Sequence, residues 1–316
     1  MTDVYVISGF LGAGKTTWIQ KLLKDAFKGK KTVLIENDFG KESVDAALLS
    51  HQGVQVTEIN SGCICCSLAG DFVKAIKEIL NRFAPEVLLI EPSGVGKLSD
   101  VVRACQNETV RPFVHLAGKM TVVDVSRYDL YMENFGEFFE DQIHEADILL
   151  LSHVSGTQDK IGKTRLALHE INNRAPVFDA PWDTFSAGEV LNLISERKLA
   201  GEPFCGHSRL SHCAEFDHDL GDDHVHDAED VFESLSLSTE YAFTRRELEE
   251  CFQKIVSLPG NIVRAKGVFP GKGVNWLVQY VPGQTEIEPV NAPVGIISFI
   301  GQKLNNTGLM QIFHGK

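Results

Sequence analysis

The chain has 316 residues, of which 43% are apolar and 23% are charged, and it carries a formal net charge of −13 with a pI near 5.3. This acidic balance argues against nucleic acid or an anionic membrane as the main partner, because both select basic surfaces. The chain is longer than a single hydrophobic core usually supports, so we expect two domains. The sequence shows neither a long apolar run nor a basic-then-apolar leader, so we expect the protein to be located in the cytoplasm.

Strand and helix patterns alternate along the first half of the chain. The apolar pattern predicts strands at residues 4–8, 32–36, 54–59, 86–91, 119–124 and 148–152, and helices at residues 15–27, 71–83 and 135–145. This alternation is typical of an α/β fold with a mainly parallel sheet flanked by helices.

A second, smaller unit follows a stretch rich in Pro, Gly, Ser, Asp and His. The pattern predicts strands at residues 232–239, 262–269, 274–280 and 295–300, and helices at residues 244–256 and 306–313. We therefore expect a first domain at residues 1–195, a flexible His/Asp-rich linker at 196–230 and a small α+β domain at 231–316.

The turn between the first strand and the first helix reads Gly9-Phe10-Leu11-Gly12-Ala13-Gly14-Lys15-Thr16. It matches the P-loop pattern GxxxxGK[ST], in which backbone N–H groups surround phosphate oxygens, the lysine reaches the β and γ phosphates, and the hydroxyl holds Mg²⁺. Because strand, loop and helix agree, a nucleotide triphosphate site is favoured over a glycine turn with a solvated lysine. The predicted cradle comprises Gly9, Gly12, Ala13, Gly14, Lys15, Thr16 and Thr17.

Two carboxylates follow predicted strands at the edge where the phosphates would lie. Asp38 follows the second strand and could bind Mg²⁺ or a transition metal, or could simply cap a turn before glycine. Glu91 ends an apolar strand and stands where P-loop enzymes place the acid that orients the Mg²⁺ shell, although it could instead cap the next helix. Gly94 after it would let the backbone approach the γ-phosphate. We therefore predict that Lys15, Thr16, Asp38 and Glu91 are catalytic.

Three thiols stand close together at Cys63, Cys65 and Cys66. Thiolates select soft ions such as Zn²⁺ over Mg²⁺, and three of them can supply most of a tetrahedral shell. Seven cysteines in all, an odd number, do not fit a disulfide framework. Simple packing of small apolar side chains is the alternative, but the cluster favours a transition-metal site.

The predicted linker holds a looser set of metal-ligand side chains among its aspartates. They are Cys205, His207, His212, Cys213, His218, His224 and His226. Such tracts can hold borderline cations weakly, and a solvated acidic loop with incidental histidines is an equally acceptable interpretation.

Four motifs together resemble the CobW-type metallochaperone GTPases, relatives of the hydrogenase and urease maturation proteins. The P-loop, the segment Asn37-Asp38-Phe39-Gly40, the thiol segment Gly62 to Cys66 and Glu91-Pro92-Ser93-Gly94 are similar to the family's motifs, as is the C-terminal unit. The resemblance implies a P-loop NTPase fold with a CobW-type C-terminal domain. It also implies nucleotide-gated delivery of a transition metal, Zn²⁺ or another such as Co²⁺, to a client metalloprotein or cofactor-assembly protein.

The chain departs from the family at two places. Asp38 stands where the family usually has glutamate, which shortens its reach. After the strand at residues 148–151 the family usually shows NKxD, but here the chain reads Ser152-His153-Val154-Ser155. Ser152 and His153 therefore occupy the position where the resemblance implies base binding, but the aspartate that selects guanine is absent. GTP remains the nucleotide that the resemblance implies, and ATP is the alternative.

The sequence thus predicts a slow NTPase, since no arginine finger is identifiable, in which GTP or ATP with Mg²⁺ controls a metal site. Two alternatives remain. A metal reservoir or sensor with little productive hydrolysis fits the altered base motif and the His-rich linker. A small-molecule kinase would use the same P-loop, but the thiol cluster argues against it.

Overall fold

The computed structural model describes residues 1–36, 55–58, 69–200, 233–291, 294 and 297–313. Within these residues the chain forms two β-sheets, each with its own helices. None of the helices in these ranges is long and apolar enough to cross a membrane.

The first sheet has seven parallel strands in the order β3-β2-β4-β1-β5-β6-β7. Its strands are β1 (Thr2–Gly9), β2 (Thr32–Glu36), β3 (Gln55–Glu58), β4 (Val87–Glu91), β5 (Val114–Asp124), β6 (Ile148–Ser152) and β7 (Val177–Phe178). The sequences of β2, β4 and β6 are almost wholly apolar because these strands are covered on both faces.

Helices cover both faces of this sheet. They are α1 (Lys15–Asp25), α2 (Ala69–Phe83), α3 (Leu98–Gln106), α4 (Tyr128–His144), α5 (Gln158–Ile171) and α6 (Ala187–Leu199). Helices α1 and α6 pack on the face that carries Ile7 and Leu89, whereas α2 and α3 pack on the face that carries Val6 and Leu88. Successive strand residues therefore enter opposite cores, as the period of a strand requires. The predicted α/β class with a parallel sheet is confirmed.

The second sheet has five antiparallel strands in the order β11-β10-β9-β12-β8. Its strands are β8 (Glu233–Leu237), β9 (Asn261–Phe269), β10 (Asn275–Val281), β11 (Gln284–Val290) and β12 (Ile297–Gln302), and its helices are α7 (Arg245–Ile255) and α8 (Asn306–Phe313). Its aromatic core includes Phe252, Phe269, Phe299 and Phe313. This arrangement confirms a separate, small α+β unit.

The two units share a hydrophobic contact at the P-loop. Phe10 and Leu11 belong to the same buried cluster as Val263 of β9 and Ile300 of β12. The ring of Phe10 also stacks on Phe135 of α4, with 5.0 Å between centroids. The C-terminal sheet therefore packs against the turn that follows β1.

Several predicted boundaries need correction. The helix predicted at residues 135–145 is the second part of α4, which begins at Tyr128. Its two helical segments meet at a kink at Phe135 (φ −139°, ψ 27°). β5 begins at Val114, five residues before the predicted start. Strands β7 and β11 and helices α3, α5 and α6 are absent from the prediction. Helix α5 escapes prediction because only Thr164 and Leu168 of it are buried, so its apolar period is weak. Of the linker predicted at residues 196–230, residues 196–199 belong to α6 instead, and residues 201–230 lie outside the described residues. The domain boundaries stay a prediction.

Candidate nucleotide-binding site

The P-loop has the predicted strand-loop-helix context. β1 ends at Gly9 and α1 begins at Lys15, with Gly14 as its N-cap. The helix N-terminus, with its unpaired N–H groups, therefore faces the loop where an anion would sit. The loop passes closely over the sheet, because an added Cβ at Gly9 (φ +141°) would clash with the carbonyl oxygen of Val122 in β5. Only glycine fits this position without displacing backbone.

Lys15 is buried at the centre of this site. Its side chain is 7% exposed, and its amino group donates to the carbonyl oxygens of Gly9 at 3.0 Å and Phe10 at 3.4 Å. The same amino group lies 3.8 Å from Oε1 of Glu91. The structure therefore brings together the predicted phosphate-binding lysine and the predicted catalytic acid.

Glu91 has a neighbouring carboxylate that is not among the predicted site residues. Glu36 ends β2 as Glu91 ends β4, and the two are register partners in adjacent parallel strands. Both residues are buried, with 3% and 8% of their surface exposed. The position of Glu36 at the end of an apolar strand matches that of Glu91, and this likeness could have identified it. Two buried carboxylates therefore stand on neighbouring strands at the carboxyl edge of the sheet, and that of Glu91 lies 3.8 Å from Lys15.

These groups fit Mg²⁺. The Glu91 carboxylate and the hydroxyl of Thr16, which follows Lys15 at the start of α1, supply the hard oxygen donors that this ion prefers. Thr16 is half-buried and Thr17 is exposed at the helix start, so both remain accessible to a ligand.

Gly94 fixes the loop after β4 against the P-loop. An added Cβ at this residue would lie 2.6 Å from Leu11 Cδ2 and 2.9 Å from the Leu11 backbone nitrogen. The buried side chain of Gln142 in α4 holds the same loop, because its amide donates to the carbonyl oxygens of Gly94 at 3.1 Å and Gly96 at 2.8 Å. The loop after β4 is thus locked between the P-loop and α4.

Helix α4 also holds the P-loop directly. The Tyr131 hydroxyl donates to the Leu11 carbonyl oxygen at 2.9 Å, and its ring packs on Phe10 with 4.4 Å between centroids. Burial raises the pKa of Tyr131 to about 12, so the hydroxyl keeps its proton and remains a donor at neutral pH. Leu11 is therefore held at its carbonyl by α4.

Ser152 and His153 lie at the carboxyl end of β6, on the other side of the P-loop. An added Cβ at Gly14 would lie 3.9 Å from Ser152 Cβ and 3.4 Å from the ring of Trp182. Trp182 donates its indole N–H to the carbonyl oxygen of Leu151 at 2.8 Å. His153 is exposed and has a positive φ of 53°, and its Nε2 lies 3.8 Å from Oδ2 of Asp124. Trp182 therefore also lies at this edge of the sheet, and no sequence pattern predicts it there.

A polar cluster occupies the turn after β5. Asp124 ends the strand with 1% exposure, and its Oδ1 accepts hydrogen bonds from the Ser126 amide at 2.8 Å and hydroxyl at 2.6 Å. Its Oδ2 lies 3.3 Å from Nη1 of Arg127, whose side chain is 10% exposed. Neither Ser126 nor Arg127 is among the predicted site residues.

The predicted transition-metal ligands lie outside the described residues. Asp38, Cys63, Cys65 and Cys66 fall there, as do the Cys and His residues between 205 and 226. Their roles stay predictions.

The parallel sheet, the glycine turn and the buried Lys15 define a P-loop nucleotide-binding protein. A family model described as the CobW/HypB/UreG nucleotide-binding domain matches residues 3–179, and one for the cobalamin synthesis protein cobW C-terminal domain matches residues 232–315. The chain belongs to the CobW/HypB/UreG family, as the sequence motifs predict.

Three relatives illustrate the similarity. The zinc chaperone CobW of Sinorhizobium sp is 30% identical over 87% of this chain and 84% of its own length. The zinc chaperone YjiA of Escherichia coli is 32% identical over 63% of this chain and 65% of its own length. The zinc-regulated GTPase metalloprotein activator 1 of Saccharomyces cerevisiae is 33% identical over 60% of this chain and 50% of its own length. The chain thus spans most of the first relative and half of the third.

Proposed function

We propose that this protein is a slow GTP-hydrolysing metallochaperone. It binds Zn²⁺, or another transition metal such as Co²⁺, through Cys63, Cys65 and Cys66, and delivers the ion to a client metalloprotein or cofactor-assembly protein in the cytoplasm. The main observation in favour of nucleotide binding and hydrolysis is the burial of Lys15 within the P-loop, where its amino group lies 3.8 Å from Oε1 of Glu91. The names of the relatives support the metal and the nucleotide.

The P-loop residues bind and orient the triphosphate. The amides at the start of α1 and the Lys15 ammonium neutralise its charge, which is the main contribution a protein makes to phosphoryl transfer. Thr16, Glu91 and Asp38 would hold Mg²⁺, and the ion, when bound, neutralises charge on the β and γ phosphates. Gly94 and its neighbours keep the loop after β4 against the P-loop, so this loop is placed to respond to the γ-phosphate.

The topology supports coupling between nucleotide and metal. β3 runs parallel to β2 and β2 to β4, so all three strands end at the edge that carries Glu36 and Glu91. The three predicted thiol ligands lie in sequence between the end of β3 at Glu58 and the start of α2 at Ala69. We propose that the triphosphate state tightens the thiolate site and that hydrolysis loosens it for transfer of the metal.

The test measures binding and hydrolysis of GTP and ATP, with and without Zn²⁺ or Co²⁺. The wild type is compared with Cys65→Ala and with Cys251→Ala, which removes a thiol from the C-terminal domain. We expect metal-sensitive hydrolysis in the wild type and in Cys251→Ala, and loss of the metal effect in Cys65→Ala. Hydrolysis that responds neither to metal nor to Cys65 would overturn the coupling.

A metal reservoir or sensor is the second candidate, and the sequence Ser152-His153-Val154-Ser155 at the end of β6 favours it. Without an aspartate here, the two guanine N–H donors lack their usual acceptor, which costs about 1–3 kcal/mol. Selectivity for GTP over ATP would then fall by roughly 5- to 150-fold. A reservoir would release metal equally well after Lys15→Ala, whereas a nucleotide-driven chaperone would not.

A further inference from the structure

Arg127 is brought to the P-loop by the sheet. It follows β5 by three residues, and β5 pairs with β1, with Gly9 opposite Val122. The turn after β5 therefore lies at the same edge as the phosphate cradle. An added Cβ at Gly12 would lie 3.7 Å from Nη1 of Arg127, so the guanidinium stands beside the middle of the P-loop.

The guanidinium is held in this position from two sides. Its Nη1 lies 3.3 Å from Oδ2 of the buried Asp124. Its Nη2 donates to the side-chain oxygen of Gln284, the first residue of β11 in the C-terminal domain. The side chain of Tyr131 also interacts with this guanidinium. Because a guanidinium has five N–H donors in a planar fork, these three contacts still leave N–H groups for phosphate oxygens.

The C-terminal domain contacts the same part of the P-loop. An added Cβ at Gly12 would lie 3.2 Å from Cγ1 of Val281, the last residue of β10. The turn joining β10 to β11 thus touches both Gly12 and, through Gln284, Arg127. The position of the guanidinium therefore depends on both domains.

We propose that Arg127 is a phosphate-contacting catalytic residue for nucleotide hydrolysis, supplied from within this chain and positioned in part by Gln284. This inference rests on the proposed nucleotide hydrolysis. In that reaction a water oxygen bonds to the γ-phosphorus, and the bond from this phosphorus to the β–γ bridging oxygen breaks. The electron pair stays on the diphosphate, and the proton of the water passes to inorganic phosphate and solvent. The Arg127 guanidinium contacts an oxygen of the γ-phosphate and stabilises the negative charge that develops there and on the bridging oxygen as this bond breaks.

The test compares single-turnover hydrolysis of GTP, and the affinities for GTP and GDP, in four variants. In Arg127→Lys the charge beside Asp124 remains but the planar fork is lost, so this variant tests the chemistry even if Arg127→Ala does not fold. Gln284→Ala removes the contact from the C-terminal domain. Arg165→Ala is the matched control, because Arg165 lies in α5, is 62% exposed and pairs with Asp179. Thermal unfolding checks each variant.

We expect Arg127→Ala to slow hydrolysis on the order of 10²–10³-fold, as for loss of one preorganised donor, and to weaken GTP binding more than GDP binding. Added guanidinium ion should restore part of the rate in Arg127→Ala and none in the control. Gln284→Ala should show a smaller loss. A folded Arg127→Lys or Arg127→Ala variant with wild-type rate and wild-type GTP-to-GDP affinity ratio would overturn the proposal.

The two proposals fail differently. If the wild type binds GTP but does not hydrolyse it, the proposed hydrolysis fails, and the affinity ratio alone then decides whether Arg127 contacts the γ-phosphate. If the wild type hydrolyses GTP and the Arg127 variants do so equally well, only the role of Arg127 is refuted.

Discussion

Gly94→Ala is expected to disturb the P-loop from a residue outside it. The new Cβ would lie 2.6 Å from Leu11 Cδ2, 2.9 Å from the Leu11 backbone nitrogen and 3.0 Å from Leu11 Cγ. The side-chain contacts could be relieved by a rotation of Leu11, but the contact with the backbone nitrogen could not. One of the two loops must therefore shift.

The cost follows from this overpacking. Inserting one methyl group into a well-packed interior typically costs about 1–3 kcal/mol. We expect the upper part of that range, because Leu11 cannot retreat from Gly94 without disturbing its hydrogen bond from Tyr131. The displaced Leu11 directly precedes Gly12 of the phosphate cradle, so affinity for the nucleotide should fall together with stability.

The assay is chemical denaturation combined with titration of a fluorescent GTP analogue. Gly162→Ala is the matched control, because Gly162 lies inside α5 and an added Cβ there meets nothing within 4 Å. Alanine in that helix should stabilise the protein by about 0.5–1 kcal/mol and leave nucleotide affinity unchanged. If Gly94→Ala matched the wild type in both measurements, the inferred contact between the two loops would be refuted.

Three further predictions concern stability. Tyr131→Phe should cost about 1–3 kcal/mol in denaturant unfolding, because the buried Leu11 carbonyl loses its donor; an unchanged midpoint would contradict this. Phe313→Ala should cost about 3–5 kcal/mol, since its ring is 1% exposed among three other phenylalanines; a smaller loss would mean that the core collapses around the gap. Hydrogen bonds from the Thr244 amide and hydroxyl lower the pKa of Glu247 from 4.5 to about 2, so the stability it contributes is present above pH 4.5 and lost as the pH falls towards 2. The difference in unfolding free energy between the wild type and Glu247→Gln should therefore shrink over that window, and a constant difference would refute the assignment.

The sequence predicts the nucleotide edge of the fold well because its signals are local. The P-loop pattern needs only the strand before it, the helix after it and glycines between them, all within residues 2–25. The buried strands are also easy to predict, since runs such as residues 87–90 are apolar throughout. Glu91 could be placed beside Lys15 from this pattern alone, because parallel strands end at the same edge of the sheet.

The remaining parts of the site depend on contacts between distant segments. Arg127 and Gln284 are 157 positions apart, and Trp182 reaches the carbonyl of Leu151 across 31 positions. The apolar period of a segment cannot reveal such pairs, because each contact joins side chains of segments that are far apart in the sequence. β11 escapes prediction for a related reason: Ile287 is its one buried residue, so its apolar alternation is too weak to mark a strand.

The contacts on Leu11 and Gly12 suggest how nucleotide binding could reach the C-terminal sheet. The backbone nitrogen of Leu11 lies close to Gly94, and its carbonyl oxygen accepts a hydrogen bond from the Tyr131 hydroxyl. The next residue, Gly12, lies next to Val281. Close-packed groups cannot absorb a displacement of a few tenths of an ångström without moving their neighbours. A phosphate that shifts the P-loop must therefore move the loop after β4, α4 or the β10–β11 turn. Because that turn belongs to the sheet of the C-terminal domain, a displacement of the P-loop would reach that sheet through direct contact, without a separate relay.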